Sequence, residues 1–320
     1  MSNVPTASDH DLNRVAVVFP GQGSQAPGAG QAWVDHPAWA VVAEAEEAAG
    51  RPLAPLLLEP DADLRRTEDA QLAVLVSSLV AWEAARPLLN APVAFAGHSL
   101  GQITALVAAG ALDLADGVRL AATRATVTQS CADATPGGMV ALLGADMTQA
   151  SAAVAEVDGA WVANDNAPGQ VVLGGTSDGL AEAEAAARAA GVRKVRALDV
   201  GGAFHTPLMV PAAEAFRPTV AATRFAALTT PVVTNHDARP HFAQNGWDDR
   251  LSAQLIQPVR WRETVDALAE LGARCVVEVG PGTTLSGLVR RCRDDLATAS
   301  AATPTEVESL LPEVFGVSAR

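Results

Sequence analysis

The chain has 320 residues, 49% of them apolar, and a formal net charge of −14. That length suits one α/β unit carrying an insertion; no apolar run is long enough to span a membrane, and the acidic balance argues against nucleic acid as a partner. Cys131, Cys275 and Cys292 form no CxxC pair, so no cysteine-based metal site or disulfide framework is expected, and a reducing, cytoplasmic setting is.

Residues 1–14 read as a flexible polar tail, since MSNVPTASDHDLN lacks the basic and apolar regions of a signal peptide. VAVVF (15–19) is a buried strand running into the glycine-rich turn PGQGSQ. Residues 70–89 repeat apolar positions at helical spacing, among them Leu72, Leu75, Leu79 and Trp82. VAFA (93–96) is a short strand, and Leu100, Ile103, Leu106 and Val107 start a helix directly after it. A further helix fits 113–132, with Asp113 and Asp116 at the end where the helix dipole favours carboxylates.

Gly137-Gly138 marks a change of texture. Strand 139–144, helix 147–156, strands 160–165 and 170–175, helix 179–191 and strand 193–200 follow in the order βαββαβ. This is the ferredoxin-like split arrangement, expected as a small subdomain over 137–200. PVVT (231–234) and CVVEV (275–279) return as buried strands, which leaves 15–136 and 201–320 as a large α/β-hydrolase-like subdomain with a parallel sheet at its core. Thr303, Pro304 and Glu306 are the N-cap, first residue and capping-box partner of a last helix.

Gly97-His98-Ser99-Leu100-Gly101 fits G-x-S-x-G between a strand and a helix. The bare pattern arises by chance in roughly one chain in ten of this length, so its strand-to-helix context carries the weight. One reading makes Ser99 a nucleophile on a strained turn, with the Leu100 N–H at the helix start facing an oxyanion. The other makes it a structural turn. A nucleophilic serine needs a base. His10 lies in the tail, His36 in a polar stretch, and His98 adjoins the serine and reads as a structural imidazole. His205, in the loop GGAFHTPLM that returns from the insertion, is favoured as a loop end facing the elbow, while His236, in TNHDARP, is not excluded by spacing. Gln22, flanked by glycines at a strand end, either aims its main-chain N–H into a site or simply makes a tight turn. The spacing G-x-G-x-x-G of a dinucleotide site is not met there.

Seven segments occur in order: FPGQGSQ (19–25), GHSLG (97–101), Arg124 at 25 residues beyond Ser99, NDNAPGQVVLGG (164–175), GAFHTPLM (202–209), QPVRW (257–261) and EVGPGTTLSGL (278–288). In this set the chain resembles malonyl-CoA:acyl carrier protein transacylases and the related acyltransferases of polyketide synthases, from about residue 15 to 293. The resemblance implies Ser99 as the acylated nucleophile, His205 as general base, and Gln254 as the acceptor of the other ring N–H of His205. It implies main-chain N–H groups of Gln22 and Leu100 as the oxyanion hole. Arg124, Phe204 and Asn166 would contact substrate, with Arg124 gripping the free carboxylate of the malonyl group.

On its own, an arginine on an alanine-rich helix reads as a solvated surface charge. Inside an acyl pocket it would select dicarboxylic acyl groups through charge-assisted bonds. The implied partners are malonyl-CoA and an acyl carrier protein, with no cofactor beyond coenzyme A as substrate and the carrier's phosphopantetheine, no metal, and a monomeric chain. An acidic carrier needs a local basic patch. Arg188, Arg193, Lys194 and Arg196 are one candidate and Arg290, Arg291 and Arg293 another; both also read as solvated faces.

Two positions depart from or refine the pattern. Gln102 stands on the helix after the elbow where the family commonly has Glu; a surface contact is one reading of it, and the sequence leaves its effect open. Phe204 resembles the malonyl-selective type, in which an aromatic leaves no room for a 2-alkyl branch. The competing readings are a serine thioesterase or hydrolase, an acyltransferase for larger or carrier-bound acyl groups, and a non-catalytic docking module.

Overall fold

The computed structural model describes residues 14–89 and 91–315, so residues 1–13 of the expected tail lie outside the described residues. Arg14 is not free: its Nε donates to Gly272 O at 2.7 Å. Among the described residues, ten strands β1 (Val15–Phe19), β2 (Ala94–Gly97), β3 (Gly138–Leu143), β4 (Ala160–Ala167), β5 (Gln170–Gly175), β6 (Lys194–Ala197), β7 (Val232–Val233), β8 (Pro240–His241), β9 (Cys275–Val279) and β10 (Ala297–Ala301) form two sheets. The helices are α1 (Ala40–Ala49), α2 (Ala54–Leu58), α3 (Thr67–Ala85), α4 (Gly101–Ala108), α5 (Leu114–Ala134), α6 (Met147–Val154), α7 (Ser177–Ala189), α8 (Val210–Ala222), α9 (Trp247–Ile256), α10 (Trp261–Glu270), α11 (Thr284–Cys292) and α12 (Pro304–Phe315). None among the described residues is long and apolar enough to cross a membrane.

The large sheet runs β10-β9-β1-β2-β7-β8 and is parallel except for the antiparallel edge strand β8. VAVVF and CVVEV are buried along their whole length because both sheet faces are covered, as parallel strands require. Alternation sorts their side chains between two cores. Val15, Val17 and Phe19 pack with α1, α3 and α5, while Ala16 and Val18 pack with α10 and α11. Helix α3 is buried on nearly every side, so its polar residues need internal partners.

The small sheet is antiparallel, in the order β4-β5-β3-β6, and its chain order βαββαβ is the ferredoxin-like arrangement. Helices α6 and α7 cover one face through Val140, Leu142, Ala150, Ala183 and Leu173. The other face presents Met139, Ala141, Ala163 and Val172 to Leu198, Val200 and Phe204. That face roofs the site described below.

Three local expectations shift. The last small-subdomain strand is only Lys194–Ala197; residues 198–200 leave the sheet and line a cavity. PVVT narrows to the two residues of β7. At α12, Thr303 Oγ1 accepts the Glu306 N–H at 3.3 Å, but the Glu306 carboxylate reaches past Thr303 to the Ala302 N–H at 2.8 Å.

Candidate active site

The turn between β2 and α4 exists because three residues are small or strained. A Cβ on Gly97 would lie 1.9 Å from the Gly101 carbonyl, and one on Gly101 would lie 2.2 Å from Phe19 O. Ser99 between them has φ 53°, in the left-handed region that L-residues avoid at a cost of about 1–3 kcal/mol. His205 has φ 61°. Two of the four non-glycine residues with positive φ among the described residues therefore face each other across one cavity, where such strain concentrates in functional sites.

His205 Nδ1 lies 2.7 Å from the main-chain O of Gln254, an acceptor only, so Nδ1 carries the proton. That leaves the lone pair of Nε2 facing Ser99 Oγ at 2.8 Å, and the serine hydroxyl donates to it. Burial, then the nearby Arg124 guanidinium, push the His205 pKa down to about 3, against the pull of the Gln254 carbonyl. The ring is neutral and ready to accept a proton. The other described histidines sit elsewhere. His36 caps a short turn through Ala38 N, His98 bonds Asn166 Oδ1 at 2.9 Å, and His236 and His241 lie beside Asp237. His236, the rival base in the sequence, makes no contact with Ser99.

Arg124 is 3% exposed and its pKa is lowered to about 10 by burial. Its guanidinium donates to Gln71 Oε1 at 2.7 Å, Ser99 Oγ at 3.1 Å and Gln254 Oε1 at 3.4 Å, while Nε has no partner. No carboxylate pairs with it among the described residues. A buried cation without a counter-ion is costly unless an anion enters. Here it opens on a cavity of about 80 Å³ lined by Gln22, Ser99, Arg124, Met139, Phe204 and His205, among others. A carboxylate bound there would lie next to the serine oxygen.

The main-chain N–H groups of Gln22 and Leu100 have no acceptor among the described residues. The Gln22 turn lies on the elbow: a Cβ on Gly21 would meet His98 O at 2.3 Å and Ser99 Cβ at 3.5 Å. Outside the inner cavity lies a cleft of about 420 Å³ that shares Gln22, His98, Asn164, Leu198 and Val200 with it. Asn166 lines this outer cleft, one step from Ser99, and touches the elbow through His98. Register shifts in β4 at Val162/Asn164 and Asp165/Ala167 bring both asparagines to the cleft. The buried Oδ1 of Asn164 has no partner.

Gln102 is not at the surface. It is fully buried, because α4 is packed on nearly all sides, and its Oε1 accepts the Asn235 N–H at 2.9 Å; no surface contact is involved. Asn235 and Gln71 were missed in the sequence. Gln71 carried a faint signal, a lone amide in the apolar run of α3. Asn235 carried none, being one more polar residue after a short strand. Of the two basic clusters, Arg193, Lys194 and Arg196 are exposed. Arg293 is paired with Asp266 and Asp295, and Arg291 donates to Pro168 O at 2.8 Å.

A deep serine–histidine pair, N–H groups without acceptors beside it and a guanidinium without a carboxylate partner are an arrangement suited to moving an acyl group that bears a carboxylate. The chain matches the acyl transferase domain family over residues 16–314 and belongs to it. Within that family it is similar to malonyl CoA-acyl carrier protein transacylases. It is 40% identical over 291 residues to that of Synechocystis sp., covering 88% of this chain and 95% of the relative. It is 35% identical over 304 residues to that of Bacillus subtilis, covering 93% and 96%. Among solved structures, the malonyl-CoA:acyl carrier protein transacylase of Xanthomonas oryzae pv. oryzae superposes with TM-score 0.87 at 38% identity, covering 93% of this chain and 98% of that one. A malonyl-transacylase in complex with a type II PKS acyl-carrier protein gives TM-score 0.88 at 33% identity, covering 93% and 99%. The family resemblance carried by the seven motifs is borne out.

Proposed function

We infer that the protein transfers a malonyl group from coenzyme A to the phosphopantetheine thiol of an acyl carrier protein, by a ping-pong route through a malonyl-serine. The observation that carries this reading is the buried, carboxylate-free guanidinium of Arg124 beside Ser99. In the first half-reaction Ser99 Oγ gives its proton to His205 Nε2 and attacks the thioester carbonyl, with the oxyanion on the N–H groups of Gln22 and Leu100. The tetrahedral adduct collapses, and coenzyme A leaves as a thiol with the proton held by His205. In the second, the carrier thiol gives its proton to His205 and attacks the malonyl ester, and Ser99 leaves with that proton. The malonyl carboxylate on Arg124 neutralises the cation facing His205, so the base strengthens only when a carboxylate-bearing acyl group is in place.

Phe204 narrows the cavity against a 2-alkyl branch, and Asn166 lines the path of the pantetheine arm. Neither coenzyme A nor carrier protein requires a further cofactor for these steps. A monomer in the cytoplasm is our assignment, and a chain with few cysteines and no CxxC pair fits a reducing compartment. Intact-protein mass after incubation with malonyl-CoA, then acetyl-CoA, tests the function. A malonyl adduct on the wild type that is absent in Ser99→Ala is the expected result. Rapid thioester loss with no adduct would mean a hydrolase instead, and no reaction with any acyl-CoA would mean a scaffold or a carrier-bound donor.

A further inference from the structure

We propose that Asn235 is the positioning residue of this site, a single buried amide that holds the nucleophile's turn and the residue orienting the base in one register. Asn235 follows β7, is fully buried, and does not line the cavity. Its Oδ1 accepts the Ser99 N–H at 2.7 Å and Gln254 Nε2 at 3.1 Å, and its Nδ2 donates to Gly97 O at 2.7 Å. Its own N–H donates to Gln102 Oε1 at 2.9 Å. The main-chain partners have fixed roles, N–H as donor and C=O as acceptor, so the amide has one orientation. These bonds bracket the residue held at φ 53° from both sides.

The same amide reaches the base through one intermediary. Gln254 Nε2 also donates to Ser99 O at 2.7 Å, while Gln254 main-chain O accepts the hydrogen bond from His205 Nδ1–H at 2.7 Å. Occupation of the Ser99 N–H by Asn235 leaves the Leu100 N–H as the elbow's donor for an oxyanion. Gln102 anchors the clamp by its acceptor oxygen alone, its Nε2 having no partner. Asn235 touches no reacting atom, so it acts on the rate by geometry, where sub-ångström placement matters.

The assignment rests on the transacylase reading. Its test is the rate of Ser99 acylation by malonyl-CoA, followed by intact mass against pH, with thermal melting at each pH. Asn235→Ala is expected to slow acylation about 10- to 100-fold at an unchanged KM, since Arg124 still holds the substrate. Asn235→Asp keeps the acceptor but can donate to Gly97 O only while protonated. Its rate should therefore fall as pH rises through its carboxyl pKa, a titration the wild type lacks. If the alanine variant does not fold, the aspartate profile decides. An alanine variant acylated within about twofold of wild type, or a folded aspartate variant whose profile parallels the wild type, overturns the assignment alone. A wild type that forms no malonyl-serine overturns the transacylase reading and this assignment with it.

Discussion

The floor and the roof of the cavity are built on different physics. The floor belongs to the large sheet: Ser99, His205, Asn235 and Gln254 are tied by hydrogen bonds of 2.7–3.1 Å, several to main chain. The roof belongs to the small sheet and its exit loop, where Met139, Leu198, Val200 and Phe204 make apolar contacts and β6 is an exposed edge. On the proposed function, directional bonds fix the reacting atoms and apolar fit on a separate sheet sorts the acyl groups. Damage to the floor should therefore show in rate, and changes to the roof in selectivity.

Ser99→Ala should have the largest effect, a loss of transfer on the order of 10³-fold or more with no covalent adduct by mass. Arg124→Ala comes next. Loss of charge-assisted bonds worth roughly 1.5–3 kcal/mol should reduce malonyl transfer about 10- to 100-fold and shift the malonyl-to-acetyl ratio toward acetyl. Competition between the two acyl-CoA substrates measures that ratio. An Arg124 variant with an unaltered preference would remove the carboxylate clamp.

The same variant sharpens the comparison through pH. His205 must be neutral to act, so activity is lost only as pH falls through its pKa. With that pKa near 3 in the free enzyme, the kcat/KM profile for malonyl-CoA should stay flat where an ordinary histidine, near 6.5, titrates. Arg124→Ala removes a cation that lowers this pKa, and its acid limb should move up toward neutrality. Because the unfolded chain binds the His205 proton and the folded one does not, this residue's contribution to stability is present above about 6.5. It is lost progressively as pH falls toward about 3. Denaturant midpoints across that window, with and without His205→Gln, check the sign.

Roof changes are smaller. Phe204→Ser should admit methylmalonyl-CoA, at a discrimination of about 1–3 kcal/mol for so small a difference in bulk, read as the ratio of kcat/KM values. If methylmalonyl activity does not rise, the steric account of Phe204 fails. Smallest of all, Arg193→Glu with Lys194→Glu on the exposed edge should raise the KM for carrier protein several-fold while leaving that for malonyl-CoA nearly unchanged. An unchanged carrier KM would remove this patch and turn attention to Arg290 and Arg291.

The local chain determined much of this protein by itself. VAVVF and CVVEV could only be strands covered on both faces, G-x-S-x-G could only turn sharply with glycines at both ends, and βαββαβ is readable in hydrophobic period alone. Ser99 was legible because its requirement is steric and lies within five residues. Its partners were not. Nothing near Arg124 says that it is buried without a counter-ion, since that depends on α3 bringing Gln71 against α5 and on the small sheet closing above. The sequence favoured His205 over His236 as a loop end facing the elbow but could not exclude His236 by spacing, and only packing puts His205 at 2.8 Å from Ser99. Asn235 and Gln102, 133 residues apart, meet through a bond that no spacing could announce. Short-range sterics are written residue by residue, whereas a buried polar network exists only once distant segments have excluded water together.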